Sequence, residues 1–349
     1  MRRVVHGSEE ENFMRRAIAE ARKSLGKTHP NPAVGAVIVK NGRIVSTGWH
    51  RAAGLPHAEI EALRGLSRGA VARDATLYVT LEPCSTHGKT PPCTNAILAA
   101  GIRRVVYGAT DPNPAHAGRA DAILQKAGIE VTRGILADDC RSLNRAWNQW
   151  ISTGRPWVVA KTGASLDGRI TSPPNRRWIT SPAARQDAMK LRAASQAILV
   201  GGETVRTDNP RLTIRGLRGF PQPWRVVWTK SGRIPDDCHL LTDADRDRTL
   251  VYVNRPLRSV LADLGRRGVA QVLLEGGGAV LGEAFDRALV DEVVFYVAPD
   301  VLGGPVPAVA GRGVGSNEAA IRLAQPTYSR VGRDLRISGE VIRASSSGS

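Results

Sequence analysis

The sequence predicts an α/β protein of two domains in tandem, and three observations carry that reading. Apolar segments of strand length alternate with amphipathic segments of helix length, the pattern of a mixed sheet covered by helices on both faces. A run of linker composition, Ser152-Thr153-Gly154-Arg155-Pro156, interrupts the alternation near the middle. The length of 349 residues suits two domains of ordinary size. The expected divisions are residues 1–150, residues 151–344, and a Ser/Gly tail at 345–349 expected to be disordered.

The elements follow in order. Ser8 with Glu11 three residues later reads as a capping box, and Met14, Ile18, Ala21 and Leu25 mark one face of a first helix that Gly26 ends. The turn Thr28-His29-Pro30-Asn31-Pro32 is rigid, because each proline fixes φ. Val34–Val39 and Arg43–Trp49 are strands joined by Asn41-Gly42, a type I′ hairpin signal. A helix at Ala58–Leu66, a strand at Ala75–Leu81 and a helix at Thr94–Ala100, opened by Cys93, come next. Strand Val105–Gly108, helix Gly118–Ala127, strand Ile129–Arg133 and a helix near Asp138–Trp150 complete the first domain. The second begins with strand Trp157–Thr162 and a turn at Ala164–Arg169. Ser181-Pro182 starts a helix that runs to Ala194, with proline at the first helical position. Strands at Ala197–Val200, Arg225–Trp228 and Thr249–Val253, a helix at Leu257–Arg267 and a buried strand at Val272–Leu274 follow. A helix at Ala279–Ala288 and strands at Val293–Ala298 and Leu335–Arg343 finish the chain. The stretch from Asp208 to Arg215 reads as a loop.

Composition narrows the function classes. A hydrophobic content of 42% supports proper cores, and no apolar run is long enough to span a membrane. The start Met1–His6 lacks the apolar core of a signal peptide. Four cysteines in this length do not make a disulfide framework, so a reducing, cytoplasmic setting is expected. The net charge of +17 is spread along the chain and is mostly arginine, which suits a solvated surface with a few phosphate-binding arginines. With 5% aromatic residues there is no aromatic-plus-basic stripe, so no nucleic-acid partner is expected, though an RNA-binding reading stays as an alternative.

Chemistry concentrates in one constellation: His57-Ala58-Glu59, Pro83-Cys84 and Cys93. One histidine and two cysteines can hold a tetrahedral zinc with the fourth position open to water, whose pKa then falls toward about 7. Glu59, off the metal, can move protons between that water, a ring nitrogen and departing ammonia, the logic of the zinc-dependent base deaminases. His57 falls at a helix start, Glu59 in its first turn, Cys84 after a strand and Cys93 at a second helix start, where a thiolate is favoured. The eight residues from Ser85 to Pro92 make an unusually long loop able to read a large substrate. The plainer alternative is a core histidine with two buried free cysteines. Asn31, pointed by its rigid turn, and His87, inside the long loop, are candidate substrate contacts; His29 and His50 read as structural. In the second domain Gly276-Gly277-Gly278 at a helix start can hold a pyrophosphate on backbone amides, or can simply be a tight turn.

Together the two halves resemble one family, the bifunctional deaminase/reductase of riboflavin biosynthesis. The resemblance spans about residues 9–343. It rests on Thr28–Gly35, Pro56–Glu59, Thr80–Cys84, Thr90–Thr94 and Asp111–Pro114 in the first half. In the second half it rests on Ser165–Arg169, Trp178–Thr180, Leu191–Ala193, Thr204-Val205, Asp208–Thr213, Glu275–Gly277 and Leu289–Glu292. It implies a cytidine-deaminase-like α/β/α domain followed by a dihydrofolate-reductase-like α/β domain. The implied chemistry is deamination of 2,5-diamino-6-ribosylamino-4(3H)-pyrimidinone 5′-phosphate, then NADPH-dependent reduction of the ribosyl group to ribityl. By position it implies one zinc on His57, Cys84 and Cys93, and Glu59 as the proton shuttle. Ala164, Trp178, Thr204, Asp208 and Gly276 to Gly278 would line the NADPH site. Arg192, Leu212, Arg215 and Glu275 would contact the second substrate, the arginines through its phosphate.

The sequence also departs from the family pattern. Pro174-Asn175-Arg176-Arg177 stands where Gly-Glu-Ser is usual, so that Arg176 either binds the phosphate or blocks the pocket. Thr229-Lys230 replaces Asp-Ser, Thr86 stands where histidine is common, Lys89 where arginine is, and Glu61 where histidine or asparagine is. The expected partners are small phosphorylated pyrimidines, with no membrane and with a homo-oligomer left open. A deaminase with an inactive or retargeted reductase half, or a basic RNA base deaminase, are the alternative readings.

Overall fold

The computed structural model describes residues 8–67, 72–86, 91–114, 116–171 and 178–342, and the chain divides into two compact units, 1–153 and 154–349. In the first unit Ser8 caps helix α1 (Glu9–Arg22), accepting from the Glu11 amide. The helix ends at Arg22, earlier than the apolar spacing suggests, and Leu25 stands exposed on the turn before Gly26. Met14 and Ile18 are buried on the inner face of α1, each worth about 1.5–3 kcal/mol of apolar burial.

Strands β1 (Gly35–Lys40) and β2 (Arg43–Trp49) form the expected hairpin, with both Asn41 and Gly42 at positive φ. Helix α2 (Ala58–Arg64), strand β3 (Thr76–Leu81), helix α3 (Cys93–Ala99) and strand β4 (Arg104–Ala109) follow, then α4 (Arg119–Lys126) and β5 (Glu130–Arg133). The sheet order is β2-β1-β3-β4-β5, antiparallel through β1 and parallel from β3 to β5. Period-two alternation sorts the strands onto two cores. Ile38, Leu77, Val79, Val105 and Tyr107 face α2, α3 and α4, whereas Val37, Tyr78 and Val106 face α1. At Gly48 the backbone of α2 lies so close that a Cβ would fall 2.3 Å from the Ala62 nitrogen, so the strand before the metal arm can carry only glycine there.

The single helix expected near Asp138–Trp150 is two helices, α5 (Ala137–Leu143) and α6 (Arg145–Thr153), and α6 runs into the expected linker. The break falls at Asn144, whose buried carboxamide accepts from the Ala33 amide and donates to the Ala33 carbonyl, both at 2.8 Å. It closes the backbone of the rigid turn much as a neighbouring strand would. Asn144→Ala leaves a buried N–H and C=O without partners. It is expected to cost this unit about 2–4 kcal/mol, seen as a lower denaturation midpoint of the first unit.

The second unit contains β6 (Trp157–Ser165), α7 (Pro182–Ala194), β7 (Ala197–Gly201), α8 (Gly202–Asp208), β8 (Trp224–Thr229) and α9 (His239–Thr242). It continues with β9 (Thr249–Val253), α10 (Leu257–Arg266), β10 (Gln271–Leu274), α11 (Gly278–Asp286), β11 (Glu292–Ala298), β12 (Leu323–Val331) and β13 (Asp334–Val341). Ser181 caps α7 as its sequence indicates. The sheet order is β12-β13-β11-β6-β10-β7-β8-β9, parallel except at β12 and β13. Val158, Leu199, Val272 and Leu274 pack toward α10 and α11, and Val159, Ile198, Val200 and Leu273 pack toward α7. Strand β10 inserts between β6 and β7, so the chain winds outward on both sides of it. Ligands of open α/β sheets bind at the carboxyl ends around such a point. Among the described residues no helix is long and apolar enough to cross a membrane.

Candidate active site

Two sites stand out, one in each unit. In the first, the start of α2, the end of β3 and the start of α3 bring His57, Cys84 and Cys93 together. One ligand atom from each lies within 4.8 Å of the others. His57 Nδ1 is 3.5 Å from Cys84 Sγ and 3.3 Å from Cys93 Sγ. The Cys93 amide donates to Cys84 Sγ at 3.3 Å. Cys84 is the thiol held low, to about 4, by its hydrogen bond with Cys93 and, against burial, by His57. Cys93 opens α3 as expected, but there its thiol is pushed up by donating to Cys84 and by burial. A soft, close set of one imidazole nitrogen and two sulfurs is the donor chemistry zinc takes.

Glu59 projects from the first turn of α2 and is 3% exposed. Burial and the charge of Cys84 push its carboxyl up to about 7, opposed by His57, and its side chain also hydrogen-bonds Cys93. A carboxyl balanced near neutrality can both take and return a proton.

Asn31 lands beside this cluster: its Nδ2 is 3.0 Å from His50 Nε2, and His50 Nδ1 is 3.0 Å from the Pro56 carbonyl. His50 is buried, and its ring meets the His57 ring edge-on with centroids 5.3 Å apart. If His50 donates from Nδ1 to Pro56, Nε2 accepts from the Asn31 amide, and this fixes which way the amide points. Nothing in the spacing of Asn31 and His50 marks this pairing, which only the β1–β2 hairpin creates. Two further groups carry no motif. Glu82 is buried and accepts from the amides of Asp111, Gly118 and Ala120, and Thr86 Oγ1 is 3.0 Å from His116 Nδ1. His87 lies outside the described residues.

The second site lies at the carboxyl ends of β6, β10 and β7. Glu275 follows β10, and Arg192 of α7 grips it with Nε and Nη2, both at 2.8 Å. Arg192 Nη1 donates to the Thr213 carbonyl, and Lys161 Nζ of β6 is 3.8 Å from Glu275. Burial opposes the Glu275 charge, yet Arg192, Lys161 and Arg215 hold the carboxyl down at about 2. Lys161 has no motif around it and is found only through the β6–β10 pairing. Gly277 approaches Thr204, whose Oγ1 would be 3.6 Å from a Cβ there. A Cβ on Gly276 would lie 2.7 Å from that of Val280, and one on Gly278 only 2.2 Å from the Pro307 carbonyl. Close packing thus requires glycine at 276 and 278 whatever the turn binds, whereas a Cβ at Gly277 would meet only ordinary contact.

The remaining expected residues sit on separate segments. Ala164 is buried on β6, and Asp208 closes α8, a helix the sequence does not mark, at whose last residue the expected loop begins. Trp178 is half exposed with the Arg185 guanidinium 4.8 Å from its ring centroid. Leu212 is buried at positive φ. Arg176 falls outside the described residues.

The arrangement defines a class: a deaminase domain of zinc-binding type joined to an α/β reductase domain. The profile of the cytidine and deoxycytidylate deaminase zinc-binding region matches residues 7–109, and that of the RibD C-terminal domain matches residues 156–336. The chain belongs to the RibD family of riboflavin biosynthesis proteins, as a bifunctional deaminase and reductase. It is 38% identical over 355 residues to the riboflavin biosynthesis protein RibD of Bacillus amyloliquefaciens, covering 94% of this chain and 95% of that one. A solved Acinetobacter baumannii RibD superposes with a TM-score of 0.88 at 35% identity, covering 96% of this chain and 99% of the other. The diaminohydroxyphosphoribosylaminopyrimidine deaminase/5-amino-6-(5-phosphoribosylamino)uracil reductase of Thermotoga maritima superposes at 0.85 with 32% identity and the same coverage. These likenesses do not favour the deaminase-only or RNA-deaminase readings.

Proposed function

We propose that this chain deaminates the diaminopyrimidine ribosyl phosphate in its first unit and reduces the ribosyl group of the product with NADPH in its second. The observation that carries the reading is the convergence of His57, Cys84 and Cys93 beside a buried carboxyl held near neutrality. His57, Cys84 and Cys93 would hold one zinc, which supplies an acidified water. Glu59 takes a proton at its carboxylate and returns it, first toward the ring nitrogen and then toward the leaving amine. Asn31, its amide oriented by His50, is the candidate contact to the pyrimidine or ribose, and His87 adds a further one from the loop.

In the second unit NADPH supplies the reducing equivalents. Gly276, Gly277 and Gly278 with Thr204 shape its phosphate-binding turn, and Ala164, Trp178 and Asp208 line the remainder. Glu275, Arg192 and Lys161 form a fixed charge cluster against the sugar. Arg192 is engaged by Glu275 and Thr213, and Arg215 and Arg176 are the further candidate phosphate contacts. Leu212, its side chain in the core, offers only its backbone.

Mass spectrometry of the product from the diaminopyrimidine ribosyl phosphate, with zinc-loaded protein and excess NADPH, tests both halves. A product deaminated and reduced is expected. Deamination alone removes the reductase assignment, and unchanged substrate removes the substrate assignment.

A further inference from the structure

Arg225, at the start of β8, is among the largest fully buried side chains of the protein. All its nitrogens are used. Nε donates to Thr249 Oγ1 at 3.1 Å, Nη2 to the Leu240 carbonyl at 3.0 Å, and Nη1 to Asp243 Oδ2 at 2.7 Å and to the Arg211 carbonyl at 3.3 Å. A buried ion pair is weak evidence for stability, since well-packed apolar residues commonly serve as well. Its geometry is therefore informative.

The Arg211 carbonyl belongs to the segment that carries Leu212 and Arg215. Two residues on, the Thr213 carbonyl is held by Arg192, the same arginine that grips Glu275. Leu212 lies between the two held carbonyls with φ of 51°, a left-handed conformation unfavourable for leucine. The flanks are fixed as well. Asn209 Oδ1 accepts from the His239 amide, and the Gln222 carboxamide bonds both the amide and the carbonyl of Ile214. The segment is a preformed wall whose shape is set from behind by one arginine and from the site side by another.

We propose that Arg225 is a positioning residue of the reductase site, fixing the 211–213 backbone and through it the placement of Arg192, Glu275 and Arg215. The inference rests on the reductase reading above. It makes the buried charge pair a device for geometry, so replacing the pair by apolar residues should preserve the fold and still damage substrate binding.

The test is the double variant Arg225→Met/Asp243→Leu, with Arg225→Lys beside it, assayed in the full chain. The double variant is expected to stay folded at the assay temperature, with a lowered melting midpoint, and to keep the wild-type deaminase rate. Its reductase KM for the pyrimidine substrate should rise about tenfold, with kcat changed much less. Arg225→Lys keeps a cation beside Asp243 but lacks the fork to reach Arg211 and Leu240, so it should show the same KM rise. A folded double variant whose reductase KM stays within twofold of wild type overturns the proposal. So does restoration of wild-type KM by lysine, because a bare charge would then suffice. Absence of reductase activity from the wild-type protein would instead remove the underlying reading, an outcome visible before any variant is made.

Discussion

Glu59→Gln is expected to lower the deaminase rate at least a thousandfold while leaving zinc bound. Glutamine keeps the shape of the side chain at a position where Glu59 is 3% exposed, so the packing around the first turn of α2 is retained. What it removes is a carboxyl that sits close to neutrality without being a proposed ligand. General acid–base catalysis by one positioned group contributes about 10²–10⁴ in rate, and this glutamate would serve more than one transfer in the cycle. Ammonia release followed alongside zinc content by atomic emission separates the two roles. Normal deamination by the variant would remove Glu59 from the chemistry, and loss of zinc would make it a structural partner of the metal.

Glu275→Gln is expected to abolish reductase activity and to destabilise the second unit by about 3–5 kcal/mol, because Arg192 would stay buried with its counter-charge gone. The loss should depend on pH in a defined direction. The folded carboxyl lies at about 2 against an ordinary value of 4.5. Between those values the unfolded chain binds the extra proton, so the stability it contributes, about 3 kcal/mol, is complete above pH 4.5 and falls away as pH drops through about 2. Melting curves of wild type and variant should therefore differ most near neutrality and converge in acid. A gap that widens on acidification would contradict the assignment. The deaminase unit of the same chain should keep its activity at neutral pH.

Local signals in the sequence were reliable where one chemical reason governs a short stretch. The Ser8 cap, the Asn41-Gly42 turn and the Ser181-Pro182 helix start all form as their residues dictate. The metal constellation was legible because His57, Cys84 and Cys93 each fall at the end of an element, where spacing alone indicates position. What escaped depends on long-range contact. The break at Asn144 exists because its amide pairs with Ala33, 111 residues away. The Arg192–Glu275 pair and the nearby Lys161 meet only once β10 has inserted between β6 and β7. Strand β12 has no readable pattern, since nearly all its residues are exposed and no buried face imposes alternation. Helix α8 was hidden by its glycine start and its Thr and Asp residues, and it forms because Val205 is anchored in the core.

Glu82 gives the first unit a property that matters for how such a site can change. Its carboxylate gathers the amides of Asp111, Gly118 and Ala120 two residues before Cys84, so the returning segment is stapled at both ends to the arm that presents the metal ligand. Between the staples the segment is held further, the Asn113 amide donating to Asp111 Oδ1 and His116 lying against Thr86. The strand end that leads to Cys84 and the segment that returns past it thus share one anchor, so that loss of the Glu82 carboxylate would release both together.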